Sequence, residues 1–148
     1  MANFVFDYGM GKAAQLVQDN TNSLVMILMQ AVEADATLRT YANLSTLLAA
    51  TGNTEATFTG YARKTGLAET VTVDTTAHSV KITMPNQTFT AAGGAVNNTL
   101  VKVILAVQTA TAGDTGLIPL TAHDYSATTN GTNDLVINIP TTGFYSAS

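Results

Sequence analysis

Cysteine and tryptophan are absent from the chain, histidine occurs twice and proline three times. Without cysteine there is no disulfide and no thiolate metal site, so cohesion has to come from packing and from assembly. Charge is scarce as well. Six basic and ten acidic residues amount to 11% of 148 positions, where an average soluble domain carries about 25%. Arg63-Lys64 is the one adjacent basic pair. Phosphate backbones are bound by clustered Lys and Arg, so no nucleic-acid partner is expected. The longest purely apolar run, Leu24 to Met29, falls far short of the roughly 18 residues of a membrane helix, and no membrane partner is expected. The start, Met-Ala-Asn-Phe-Val-Phe-Asp-Tyr, has neither a basic region nor an apolar core, so no signal peptide is expected.

Threonine fills much of the space that charge leaves, at roughly one residue in six, with Asn, Gly and Ala beside it. Hydrophobic residues make up 46% of the chain and net charge is −4, with a pI near 4.8. That content suits a folded core and one domain over residues 1–148, with an N-terminal arm over about 1–22. The surface must be built from hydroxyls, amides and small apolar groups. Enzymes gather titratable groups in a cleft, and so uncharged a chain reads as a structural part that touches other protein.

Periodicity predicts a mainly β fold with one short helical segment, an antiparallel β-sandwich or jelly-roll-like domain. Residues 3–8 alternate, which puts Phe4, Phe6 and Tyr8 on one strand face. Gly9 and Gly11 follow, and residues 12–18 suit a second strand or a short helix. Ser23–Ala31 reads as a strand buried on both faces. Asp35 is the expected N-cap of a helix carrying Leu38, Tyr41, Leu44, Leu47 and Leu48 on one stripe, with a possible break near Asn43 and a left-handed cap at Gly52. Beyond residue 53 the period is two. Val71 and Val73 face Val80, Ile82 and Met84 across an expected hairpin. Leu100–Val107 is a dense apolar strand with one charge, Lys102. Pro119 points to an edge or strand end for Leu117–Leu120. Asn130-Gly131 marks a turn before Leu135–Ile139.

Chemistry-bearing residues are few. His123-Asp124 is the only adjacent acid and imidazole, but neighbours on a strand point to opposite faces, and the bland reading is a loop histidine that holds a backbone carbonyl. His78 falls in the hairpin turn, too far in sequence from His123 to suggest a transition-metal site. Asp114, Asp124 and Asp134 lie in expected loops but lack the regular calcium-loop spacing. Gly9-Met10-Gly11-Lys12 is half a phosphate loop without its Ser or Thr. Gly93-Gly94 reads as a turn or bulge. No cofactor and no catalytic residue is expected. Arg63 and Lys64 suit an acidic patch on a neighbouring subunit or a solvated turn, with Glu55 as an internal partner. The aromatics at the chain ends, Phe4, Phe6, Tyr8, Phe144 and Tyr145, suit docking on the chain's own core or on another subunit.

Ser23–Leu38, Leu48–Thr51 and Asn53–Lys64 carry a resemblance. With Val71–Asp74, Ala91–Leu100, Ile118–Asp124 and Gly143–Tyr145, they resemble small virion structural proteins of tailed bacteriophages over most of the chain. That resemblance implies a non-enzymatic capsid decoration (cement) protein on the capsid exterior, made in the host bacterial cytoplasm. The implied partners are the major capsid protein and further copies of the chain, with a trimer matching a local three-fold axis. Neck, tail and head-fibre roles are the rivals within that resemblance. A carbohydrate-binding module, with Tyr125 near Asp124, is a rival of another class.

Overall fold

The computed structural model describes residues 4–6, 23–74, 76 and 79–147. Tyr8, Gly9–Lys12, the strand or helix expected over residues 12–18, His78 and the side chain of Phe4 lie outside the described residues.

The apolar run forms β2, Leu24–Ala31, and six of its eight residues are buried. Burial on both faces needs a cover on each side of the sheet, and three layers result. The middle layer runs β1 (Phe4–Val5), β9 (Leu117–Thr128), β8 (Thr99–Gln108), β2 and β3 (Thr54–Glu55), with β4 (Lys64–Leu67) also paired to β2. Its long ladders join β2 to β8, from Leu24↔Val107 to Met29↔Lys102, and β8 to β9. Every described strand pairing is antiparallel.

On one face of β2, Leu24, Met26 and Leu28 pack with Val103, Leu105 and Val107 against a second β layer. That layer holds β5 (Thr70–Asp74), β6 (Ser79–Thr83) and β11 (Tyr145–Ala147) in one small sheet, and β7 (Gln87–Phe89) with β10 (Leu135–Ile137) in another. Ile82, Phe89, Ile137 and Phe144 are its inward side chains. The expected hairpin is present, in register from Thr70↔Thr83 to Asp74↔Ser79. The mainly β, sandwich-like reading therefore holds.

On the other face, Val25, Ile27, Met29, Ile104 and Ala106 meet Phe6, Leu38, Leu44 and Leu47. Here the single helix divides into α1 (Asp35–Leu38) and α2 (Leu44–Ala49). Asn43 is the break. Its backbone is extended and its side chain accepts from the Thr46 N–H at 2.9 Å, which starts α2 afresh. Two expected caps are corrected. Ala34, without a side-chain bond, precedes α1 in place of Asp35, and Gly52 is not left-handed. Glycine at 52 serves close approach instead, because a Cβ there would lie 2.5 Å from Glu33 Cγ.

Leu117–Leu120 is not a separate short strand but the start of the twelve-residue β9, where Pro119 is the third residue and lies beyond the described β1 pairing at Thr121 and Ala122. The register slips at that point: Leu105 faces Thr121 while Ala106 faces Pro119. A bulge accommodates a residue that has no N–H to donate. The two glycine turns meet each other. A Cβ on Gly131 would sit 2.6 Å from Gly94 Cα, so the Asn130-Gly131 and Gly93-Gly94 turns cross at backbone contact.

Candidate functional site

Alternation along β9 decides what its polar residues can do. His123 and Tyr125 share one face and Asp124 takes the other. His123 and Tyr125 line a cleft of about 260 Å³ between the β8–β9 ladder and the segment from Val136 to Pro140, with Val103, Leu105 and Phe144 as its apolar wall. The Nε2 of His123 lies 3.0 Å from Thr121 Oγ1, and the ring also bonds the Phe144 backbone. Burial, and then the Lys102 charge, lower the imidazole's pKa and favour its neutral form. Tyr125 Oη donates to the Val136 carbonyl at 3.3 Å, and burial raises its pKa. His123 thus binds backbone as expected, but from within a strand. Much of the cleft's wall is apolar, and its lining residues His123, Asp124 and Tyr125 already have partners within the chain, which suits a neutral ligand with an apolar face.

Asp124 turns toward the helical layer and meets Lys102. The ammonium is 2.7 Å from Asp124 Oδ1 and 3.1 Å from Asp35 Oδ1, with only 1% of the Lys102 side chain exposed. In the sequence Lys102 is a lone charge in an apolar strand, and no local pattern points to this triad. The signal was there in the pairing, since Lys102 and Asp124 are directly opposed across the ladder.

Arg63 is not a free docking group. Its Nε and Nη2 donate to Glu55 at 2.7 and 2.6 Å, and its Nη1 also meets Asp114. Tyr61 completes the cluster, donating to Glu55 at 2.8 Å and accepting the Leu28 N–H at 3.1 Å. Lys64 lies over the Phe89 ring, 4.8 Å from its centre. Glu55 as the internal partner is thus the reading the geometry bears out for Arg63.

The three aspartates expected in loops are apart, and Asp124 lies within strand β9, not in a loop. Asp114 faces Arg63, Asp124 faces Lys102, and Asp134 accepts the Ala91 N–H at 2.9 Å. Among the described residues no three His, Asp or Glu side chains gather as a metal group. Of the terminal aromatics, Phe6 and Phe144 are buried in the chain's own core, while Tyr145 is half-buried on β11 opposite Ile82. No helix among the described residues is long and apolar enough to cross a membrane. Neither a protein-family model, nor a curated protein, nor a solved structure gives a significant match to this chain.

Proposed function

We propose that this chain is a capsid decoration (cement) protein of a tailed bacteriophage, seated on the outer shell and bridging major capsid subunits. One observation carries the reading: an exterior of hydroxyls and amides, with two of the few basic groups, Arg63 and Lys102, tied up inside the chain. Thr70, Thr72, Thr88, Thr99 and Thr128 are exposed on strands, while Arg63 and Lys102 are held by carboxylates. Such a surface associates through buried apolar area and many neutral hydrogen bonds. Bridging of this kind hardens a shell without chemistry, and repetition over a lattice multiplies weak contacts. The resemblance of Ser23–Lys64 to virion structural proteins supports the same reading. A homotrimer matches a local three-fold site.

Copy number in purified particles, measured against the major capsid protein, tests this. A count in the hundreds, commensurate with the lattice, is expected. About six to twelve copies would move the protein to the neck or tail, where ring symmetry sets the number. Absence from the particle would sink the virion reading, and a monomer both in solution and on the particle would end the trimer. The cleft favours a second reading, a glycan-binding module. Tyr125 offers an aromatic face and Asn138 an amide in one groove, and sugar binding abolished by Tyr125→Ala would establish it.

A further inference from the structure

The triad at Lys102 carries chemistry that an ion pair alone does not exhaust. The amine nitrogen touches the Asp124 carboxyl at 2.7 Å, and a second carboxylate, Asp35, reaches the same nitrogen at 3.1 Å. The Lys102 side chain is 1% exposed, so bulk water is kept from the amine. Neighbours on that face of the sheet are apolar, since Ile104, Ala122 and the α1 residue Leu38 belong to one buried cluster. We propose that Lys102 and Asp124 condense to an intramolecular isopeptide bond, with Asp35 as the proton carrier.

The step balances without any other reactant. Lys102 begins as an ammonium with three N–H protons and Asp124 as a carboxylate. Asp35 takes one proton from Nζ and passes it to the Asp124 carboxyl. The freed nitrogen lone pair attacks Asp124 Cγ, forming the C–N bond. A second Nζ proton then travels through Asp35 to the departing oxygen, the C–O bond breaks, and one water leaves. The product amide keeps a single N–H, and the opposed charges of Lys102 and Asp124 are gone.

Two physical effects favour this. Fixed contact between reacting groups is worth an effective concentration of roughly 10⁵–10⁸ M. The Lys102 amine is buried while the Asp124 and Asp35 side chains keep 24% and 36% of their surface exposed, so the desolvation penalty falls on the amine, and a neutral amide relieves it. The bond would clamp β8 to β9 at the place where α1 reaches the sheet. It does not depend on the virion reading.

Trypsin digestion of the denatured full-length protein, read by mass spectrometry, tests the bond. The unbridged chain is cut after Lys102 into 82–102 and 103–148. The bridged chain resists that cut and yields 82–148 as one piece, lighter than its sequence by about 18 Da, one water. In Asp124→Ala the cut and the full mass should return. Asp124→Asn should lose ammonia instead, about 17 Da, and Asp35→Asn should remain unbridged. Two separate peptides of unmodified mass from the wild-type protein, aged at neutral pH, would overturn the proposal without any variant having to fold. Persistence of the lighter product in Asp124→Ala would overturn it too.

Discussion

Glu33 and Asn53 hold each other from both ends. The Glu33 N–H donates to Asn53 Oδ1 at 2.8 Å, and Asn53 Nδ2 donates to Glu33 Oε2 at 3.1 Å. The same Nδ2 reaches the Leu47 carbonyl at 3.0 Å, and Tyr41 donates to Glu33 at 2.6 Å. One pair of side chains thus ties the end of β2, the tail of α2 and the loop between the helices.

Asn53→Ala strands a backbone N–H and a helix carbonyl where Asn53 is 5% exposed. Unsatisfied buried groups cost about 1–3 kcal/mol each, so we expect a loss of roughly 2–3 kcal/mol and a clear drop in Tm. Gly52→Ala should also destabilise, because the added Cβ strikes Glu33 while Tyr41 and Asn53 hold it in place. An unchanged Tm in both variants would show that the helical layer does not hang on this cluster.

Asn43→Ala should cost about 1 kcal/mol, the usual worth of an N-cap side chain. Asn43→Ser, which restores an acceptor for the Thr46 N–H, should recover most of it. Urea titration of the three proteins reads the difference directly.

His123 makes stability depend on pH. Its folded pKa lies below the ordinary 6.5 because of burial first and the Lys102 charge second. The unfolded chain therefore binds the proton more readily. The contribution of neutral His123 is whole above pH 6.5 and falls as the pH drops through that value toward the folded pKa. His123→Gln should flatten the Tm–pH curve between about pH 7 and pH 5 relative to wild type. Parallel curves would remove His123 as the cause.

Glu69 acts with the opposite sign. It is 9% exposed, and neither carboxylate oxygen has a hydrogen-bond partner among the described residues. Burial raises its pKa above the ordinary 4.5 and outweighs the pull of the residue's own backbone N–H, so the folded chain takes the proton first and gains stability as the pH falls through the folded value. Glu69→Gln removes an unpaired buried charge, and its Tm should exceed wild type at pH 7. The gain should fade toward pH 4, where Glu69 is itself protonated. A lower Tm for the variant at pH 7 would contradict the account.

Arg63→Lys should destabilise by about 1–2 kcal/mol despite keeping the charge, because a point ammonium cannot span two carboxylates as the planar fork does. A thermal melt matching wild type would mean that the Glu55–Arg63–Asp114 cluster is solvent-shared and contributes little.

Much of the fold was legible in the chain. The buried strand at Leu24–Ala31, the hairpin of β5 and β6, the dense strand β8 and the turn at Asn130-Gly131 all announce themselves through periods of two, unbroken apolar runs or turn chemistry. These signals are local, and the side chains that carry them are neighbours in sequence. Even the face rule on β9 held, sending His123 and Asp124 apart.

Sequence alone thus determined a sparsely charged, threonine-rich antiparallel protein with a divided helical segment, because strand alternation and capping act over a few residues. Tertiary structure alone decided which charges meet. Asp35, Lys102 and Asp124 are far apart along the chain, as are Arg63 and Asp114, and no period links them. Pro119 sits within a strand because the bulge belongs to the pairing of two strands, and Gly52 answers to Glu33 because close approach belongs to packing. Contacts of that kind depend on how the layers stack, and the stacking is set by the whole buried surface at once.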